Sequence, residues 1–331
     1  MAISKRLLGG VIAGLVAAAT LTGCGGGSGS AASDEVRFGY IGDFNGASLL
    51  AVAEDQGLWA EHGLTAETSA FTNGPLQIQA LGTGDLDFGY IGPGAMWLPA
   101  SGQAKVVALN TLGNADRVIA QPGTTSMADL RGKTIGVPQG TSGDMILTLA
   151  LRQAGMTKND VKVMHMDAST IVSAFSAKRI DAAGFWYPAI ATIEEQVPDL
   201  VELAKNSDFA GQVEFPTAFV AGNDVVAEQP DKTRKVLAVL RDAMRYRSEH
   251  PDRTIELTAR LLDVDEAQVR ADAANVKVLG VDELDRMTED GTVERWLSVM
   301  DDYFAGTGQL QRSVGPGNYY TGELFTSAGR P

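Results

Sequence analysis

The residue types that most often carry chemistry are sparse in this chain and poorly spaced for it. Its 331 residues contain one cysteine, Cys24, and three widely separated histidines, His62, His165 and His250. No zinc-type Cys/His spacing arises and no nucleophile has a base beside it, so neither a metal nor a cofactor is expected. Gly132-Lys133-Thr134 has the ending of a phosphate-binding loop, but the glycine required five positions earlier is Met127, and Lys133 leads into a strand-like run instead of a helix. Gly92-Pro93-Gly94 lacks the third glycine of a dinucleotide fingerprint. What remains is binding chemistry, in short loops rich in Gly, Ser, Thr, Asn and Asp with aromatic residues among them.

The elements around those loops read as βαβ units. Apolar runs at 36–41, 64–71, 86–91 and 105–112 alternate with amphipathic stretches at 47–61, 75–81 and 95–101. A second series runs 134–137, 142–154, 161–166, 170–177, 181–185 and 188–196. Strands alternating with helices predict parallel sheets, and two series predict two α/β lobes. A related unit recurs: Gln79-Ala80-Leu81, Asp87 and Pro93 are echoed by Ser173-Ala174-Phe175, Asp181 and Pro188, the aspartates 94 residues apart. Beyond residue 230 the chain turns helical, over 231–249, 252–262, 265–275 and 292–304, and 315–325 shows no clear period.

Ligands of parallel sheets sit beyond the carboxyl ends of the strands. That rule nominates Asp43, Phe44 and Asn45; Gly74; Gly92 and Pro93; Thr141, Ser142, Gly143 and Asp144; Trp186 and Tyr187; and Glu214. Small residues at 140–144 let backbone N–H groups approach an anion at a helix start. Thr141 followed three residues later by Asp144 is equally a capping-box pattern, and both roles stay open. None of these loops holds Lys or Arg, while Asp43, Asp144 and Glu214 place carboxylates in or beside them. A zwitterion fits that mixture better than a bare anion, with its acid group at a helix start and its ammonium near a carboxylate. For Asp43 itself, the reading as a solvated turn residue is favoured over ligand contact. Trp186 and Tyr187 can wall the cleft, stack on a flat ring or cover a cation, whereas Trp97, inside a helical stretch, reads as core.

Composition bounds the partners. With 44% apolar and 21% charged residues the chain is globular, and 27 basic against 41 acidic residues give a net charge of -14 with no basic run, which argues against nucleic acid. No heptad seam is present, and a monomer is expected. Lys5 and Arg6 precede an apolar stretch to Leu21, too short for a comfortable span and right for a signal peptide over 1–23. Leu21-Thr22-Gly23-Cys24 resembles the lipobox of bacterial lipoproteins, which implies cleavage before Cys24 and its acylation. Residues 24–35, rich in Gly, Ser and Ala, then form a flexible tether. Loss of Lys5 and Arg6 leaves a body of net charge -16, so the lipid rather than the fold would hold it at the membrane.

Four segments in order carry a wider resemblance: 53–64 (AEDQGLWAEHGL), 79–89 (QALGTGDLDFG), 129–137 (DLRGKTIGV) and 179–189 (RIDAAGFWYPA). Together they resemble the solute-binding proteins of ABC importers for nitrate, sulfonates, taurine and thiamine precursors. The resemblance implies a type II periplasmic-binding-protein fold with lobe 1 from 36–116 and 222–331, lobe 2 from 117–221, crossovers near 113–120 and 217–225, and a ligand cleft between the lobes lined by the loops above. It implies an extracytoplasmic protein without catalysis, whose ligand-closed form is read by permease subunits. A sulfonate such as taurine or an alkanesulfonate is the favoured solute, and a thiamine-precursor pyrimidine, nitrate or other small solute the alternative. The same fold hosts pyrimidine-precursor synthases, but the histidine and cysteine chemistry they depend on is missing here.

Overall fold

The apolar runs pair into two mixed sheets, and in the computed structural model the described residues are 34–329. The signal segment, Cys24 and most of the 24–35 tether lie outside them. The strands are β1 (Asp34–Ile41), β2 (Leu64–Phe71), β3 (Phe88–Ile91), β4 (Lys105–Gly113), β5 (Asp116–Ala120), β6 (Thr134–Val137), β7 (Lys162–His165), β8 (Ala182–Trp186), β9 (Val201–Lys205), β10 (Pro216–Ala221) and β11 (Val276–Val278). The first sheet has the order β11-β4-β10-β3-β1-β2 and the second β7-β6-β8-β5-β9.

The two sheets follow one plan. In the first, β1 is parallel to β2 and β3, and β10 lies antiparallel against β3. In the second, β6 is parallel to β7 and β8, and β5 lies antiparallel against β8. The echoed aspartates do the same work in each. Asp87 accepts the Arg37 N–H at 2.9 Å and Asp181 accepts the Thr134 N–H at 2.8 Å, each carboxylate fastening the neighbouring parallel strand, β1 within its first half and β6 at its first residue. Their carbonyls accept the N–H groups of Gly222 and Gln121, which follow the antiparallel strands.

Those antiparallel strands come from the crossovers, and here the sequence reading is corrected. Only Asn114 and Ala115 separate β4 in the first sheet from β5 in the second, inside the expected first crossover. The return occurs before Pro216, so 216–221 is not part of the second lobe; it is the buried central strand β10 of the first sheet. A strand covered on both faces is a continuous apolar run without alternation, which periodicity cannot place. The helix expected over 47–61 starts earlier and breaks in two, Phe44–Asp55 and Leu58–Glu61, at Gly57, whose φ of 68° is the left-handed conformation that glycine adopts freely.

The first sheet is organised around Phe38, Phe88 and Phe219, all fully buried. Phe38 stacks on Phe88 at 5.8 Å and meets Phe219 edge-on at 5.7 Å. Burying such a ring contributes roughly 1.5–3 kcal/mol, which fixes the sheet whose strand ends carry the site. The Pro230–Glu249 helix lays Val236, Leu237, Leu240 and Met244 into the same core, as its apolar stripe predicts.

Candidate functional site: a cavity between the strand ends of two sheets

The carboxyl ends of β1, β3 and β8 and both crossovers converge on one cavity. Its lining includes Ile41, Asp43, Asn45, Asn73, Gly74, Tyr90, Gly92, Pro93, Gly113, Asp116, Thr141, Ser142, Trp186, Tyr187 and Thr217. Its empty volume is about 510 Å³, part of it open to solvent. That size is in the range of small-molecule sites.

Of the residues nominated from sequence, Asp43, Asn45, Gly74, Gly92, Pro93, Thr141, Ser142, Trp186 and Tyr187 line this cavity. Four do not. Phe44 turns behind its helix into a cluster with Ile255, Ala259 and Val269. Gly143 packs against β8 so closely that a Cβ would fall 2.3 Å from the Gly184 carbonyl oxygen. Asp144 is ion-paired with Lys158 and accepts the Gly140 N–H at 3.2 Å, so of its two open roles the structure shows a local bracing of the loop. Glu214 sits half-buried before β10, outside the lining.

The helix start for which a capping box is one of two open readings has no side-chain cap. The Thr141 hydroxyl donates to the Pro138 carbonyl at 2.7 Å, and no side chain caps the Ser142–Gln153 helix. Thr141 and Ser142 therefore bring a helix N-terminus with unsatisfied N–H groups to the cavity wall. Gly94 from the other sheet presses on this start: a Cβ there would lie 2.1 Å from the Thr141 carbonyl carbon. Trp97, expected as core, packs partly on the core and also donates Nε1–H to the Gly140 carbonyl at 3.4 Å.

Asp43 is no solvated turn residue. It is 6% exposed, caps the Phe44–Asp55 helix, and accepts the Gly46 N–H at 2.7 Å. Burial pushes its carboxyl well above the usual range, and the nearby Asp272 adds to this. Asp272 accepts the Phe44 N–H at 2.6 Å, its other oxygen is buried without a hydrogen bond, and burial raises it to about 6. Asp116, 3% exposed, opens β5. Asn206 holds it at two points, accepting the Asp116 N–H at 2.7 Å and donating to its carboxylate at 2.9 Å. Burial raises Asp116 as well, against the opposing hydrogen bonds of Ser142 and Asn206.

Behind the floor lies Arg247, 2% exposed and without a carboxylate partner among the described residues. Its guanidinium donates to Asn110 Oδ1 at 2.8 Å and Ser48 Oγ at 3.2 Å, and burial pulls it down to about 9. Asn110 in turn donates to the Asn45 carbonyl, and Thr111 joins Asn45 Oδ1 to Thr217 through hydroxyl contacts of 2.7 and 2.8 Å. On the opposite wall the Tyr187 hydroxyl donates to Glu194 at 2.6 Å and Arg117 lies over its ring at 5.4 Å, which fixes that ring beside Trp186.

Sequence reasoning missed Tyr90, Asp116 and Thr217 in the lining and Arg247 beneath it. Asp116 and Thr217 lie on strands inside the two segments expected as crossovers, and Arg247 reads as one more charge on a helix face. The only available signal was Asp116-Arg117 opening an apolar run directly after β4.

Comparison with known proteins agrees with this architecture. The family described as NMT1/THI5 like matches residues 46–254. A protein of Brucella abortus (strain 2308), named only as a candidate binding protein, is 55% identical over 292 residues, 88% of this chain and 92% of that one. The taurine-binding periplasmic protein of Escherichia coli (strain K12) is 26% identical over 220 residues, 63% of this chain and 68% of that protein. Among solved structures, the alkanesulfonate-binding protein SsuA from Xanthomonas axonopodis pv. citri bound to MOPS superposes with a TM-score of 0.69 at 20% identity, over 86% of this chain and 97% of that one. The fold is the periplasmic-binding-protein fold that the sequence implied.

Proposed function

Because the chain belongs to the NMT1/THI5-like family, we propose that it is the extracytoplasmic solute-binding component of an ABC importer, taking a small sulfonate of taurine or alkanesulfonate type. The observation that carries this reading is the small cavity shared by two sheets, with the uncapped Ser142–Gln153 helix start in its wall. Two or three N–H groups at such a start suit the oxygens of a sulfonate. The lining contains no cysteine, histidine or lysine, which favours binding over catalysis.

The mechanism is closure about the two crossovers. A solute touching residues of both sheets binds the closed form better than the open one and shifts the population toward it, in proportion to that difference in affinity. Closure brings Gly94 onto Thr141, and the closed outline is what permease subunits would recognise. Acylated Cys24 and the following tether would keep the protein, as a monomer, at the membrane.

A second reading has its own observation. Trp186 and Tyr187 form a wall on which a flat heterocycle can stack, so an aminopyrimidine thiamine precursor is the alternative solute. Thermal unfolding of the purified protein with taurine, alkanesulfonates, nitrate or such a pyrimidine separates the two. A solute at one hundred times its Kd adds about 2.7 kcal/mol of stability. A midpoint rise with a sulfonate supports the proposal, a rise with the pyrimidine alone replaces the solute, and no rise with any of them removes both readings.

A further inference from the structure

Asp43 and Asp116 reach the cavity from opposite sheets. Asp43 follows β1 of the first and Asp116 opens β5 of the second, and each is more than nine-tenths buried. Among the described residues neither is in a salt bridge. The Arg117 guanidinium donates to the Asp116 carbonyl at 2.9 Å and its charge partly offsets the burial of the Asp116 carboxyl, but its ion pair is with Glu202, and it also holds the Asn114 carbonyl at 2.8 Å and the Tyr187 ring. The hydrogen bonds onto the two carboxylates come from neutral groups: backbone N–H groups at the Asp43 helix start, and the Asn206 amide and Ser142 hydroxyl at Asp116. Behind Asp43, Asp272 adds a third carboxylate with one oxygen left without a partner. Two buried carboxylates lining one cavity, with no salt-bridge partner among the described residues, form an arrangement that a positive group in the cavity would complete.

We propose that Asp43 and Asp116 form a subsite across the cleft for the protonated amine of the solute, so that the solute is an amine-bearing acid and not a bare alkanesulfonate. This rests on the small-solute reading above and narrows it. An ammonium has three N–H donors, enough to bridge both carboxylates and still reach a neutral acceptor such as the Tyr90 or Thr217 hydroxyl. The acid group at the other end of a short linker then meets the helix start at Thr141 and Ser142. A cation held by one carboxylate from each sheet also ties the sheets together, making amine recognition and closure a single event.

The test compares taurine with ethanesulfonate, which differs by the amine alone, and with β-alanine, which keeps the amine and replaces the sulfonate. Affinities are measured by calorimetry on the wild type, Asp43→Asn and Asp116→Asn. Asparagine keeps an oxygen for Gly46 N–H or the Asn206 amide, so the local hydrogen bonds survive. The wild type is expected to prefer taurine to ethanesulfonate by about 100-fold, and Asp116→Asn to reduce that preference to below about 10-fold. Equal affinity for the two in the wild type, or a preference unchanged in both variants, overturns the amine subsite and leaves the sulfonate reading standing. Binding of β-alanine but not taurine, lost in Asp116→Asn, retains the subsite and removes the sulfonate. Should none of the three bind, melting without solute at pH 8 decides. Each Asn variant is expected to melt several degrees above the wild type because a buried unpaired charge is gone, and a lower midpoint in both variants overturns the proposal.

Discussion

The first sheet holds two aspartates of nearly equal burial at its opposite ends. Asp87, 3% exposed before β3, receives hydrogen bonds from Arg37 and an ion pair from Lys232 at 2.9 Å. Burial alone would raise its carboxyl, but Arg37 and Lys232 outweigh that and hold it below the ordinary value. Asp43, 6% exposed after β1, has no cation, and burial with Asp272 beside it drives it upward. Burial is therefore uninformative by itself. The paired acid fastens strands, whereas the unpaired acid stands where a ligand enters.

The comparison breaks most visibly at the paired end. Asp87→Ala leaves Arg37 and Lys232 without their acid and should cost about 3 kcal/mol in denaturant unfolding. A loss no greater than that of a surface substitution would erase the contrast. At the cleft end, Gly94→Ala places a Cβ against Thr141. It should weaken solute binding by about 30-fold, roughly 2 kcal/mol, while hardly moving the melting point without solute, because the added methyl obstructs closure rather than folding.

Asp272 sharpens the same contrast through pH. Its carboxyl is near 6 when folded against about 3.9 when unfolded, so the folded state holds the proton more tightly. The Asp272 contribution to stability should be fully present below about pH 4 and be lost as pH rises through 6, by on the order of 3 kcal/mol. Asp272→Asn should flatten that slope, in unfolding curves collected across the window. Asp87 runs the other way, contributing stability above the unfolded value that is lost as pH falls.

Smaller effects follow. Trp186→Ala should weaken binding by about tenfold with little loss of stability, since the ring is half-buried at the cavity wall. Asp181→Ala, the counterpart of Asp87 in the second sheet, should cost only about 1 kcal/mol. It fastens Thr134 in the same way, but its side chain is 43% exposed and its lysine is 3.8 Å away.

How much of this was legible in sequence follows the same physical line. β2 and β6 begin and end where their apolar runs do, and Asp87 and Asp181 reveal the repeated plan, because a parallel strand flanked by helices punctuates the sequence at both ends. Neither β5 nor β10 is entered from an α-helix, since β5 follows β4 after two residues and β10 follows the 210–215 loop, so no change of period announces where they begin. Asp116 and Thr217 were lost with them. Arg247 and Asp272 were illegible for another reason: each reads as one charge on an amphipathic helix, and only tertiary packing shows that the partner of opposite sign is missing.

The central claim is that the unpaired acids mark the binding end. It is tested most directly by following the side-chain carboxyl signals of Asp43, Asp116 and Asp87 by carbon-13 NMR through a pH titration, with and without the solute that most raises the melting temperature. The account predicts that Asp43 and Asp116 titrate above the ordinary range alone and move downward when the solute binds, while Asp87 stays low in both. Signals at Asp43 and Asp116 that ignore a saturating solute would contradict it.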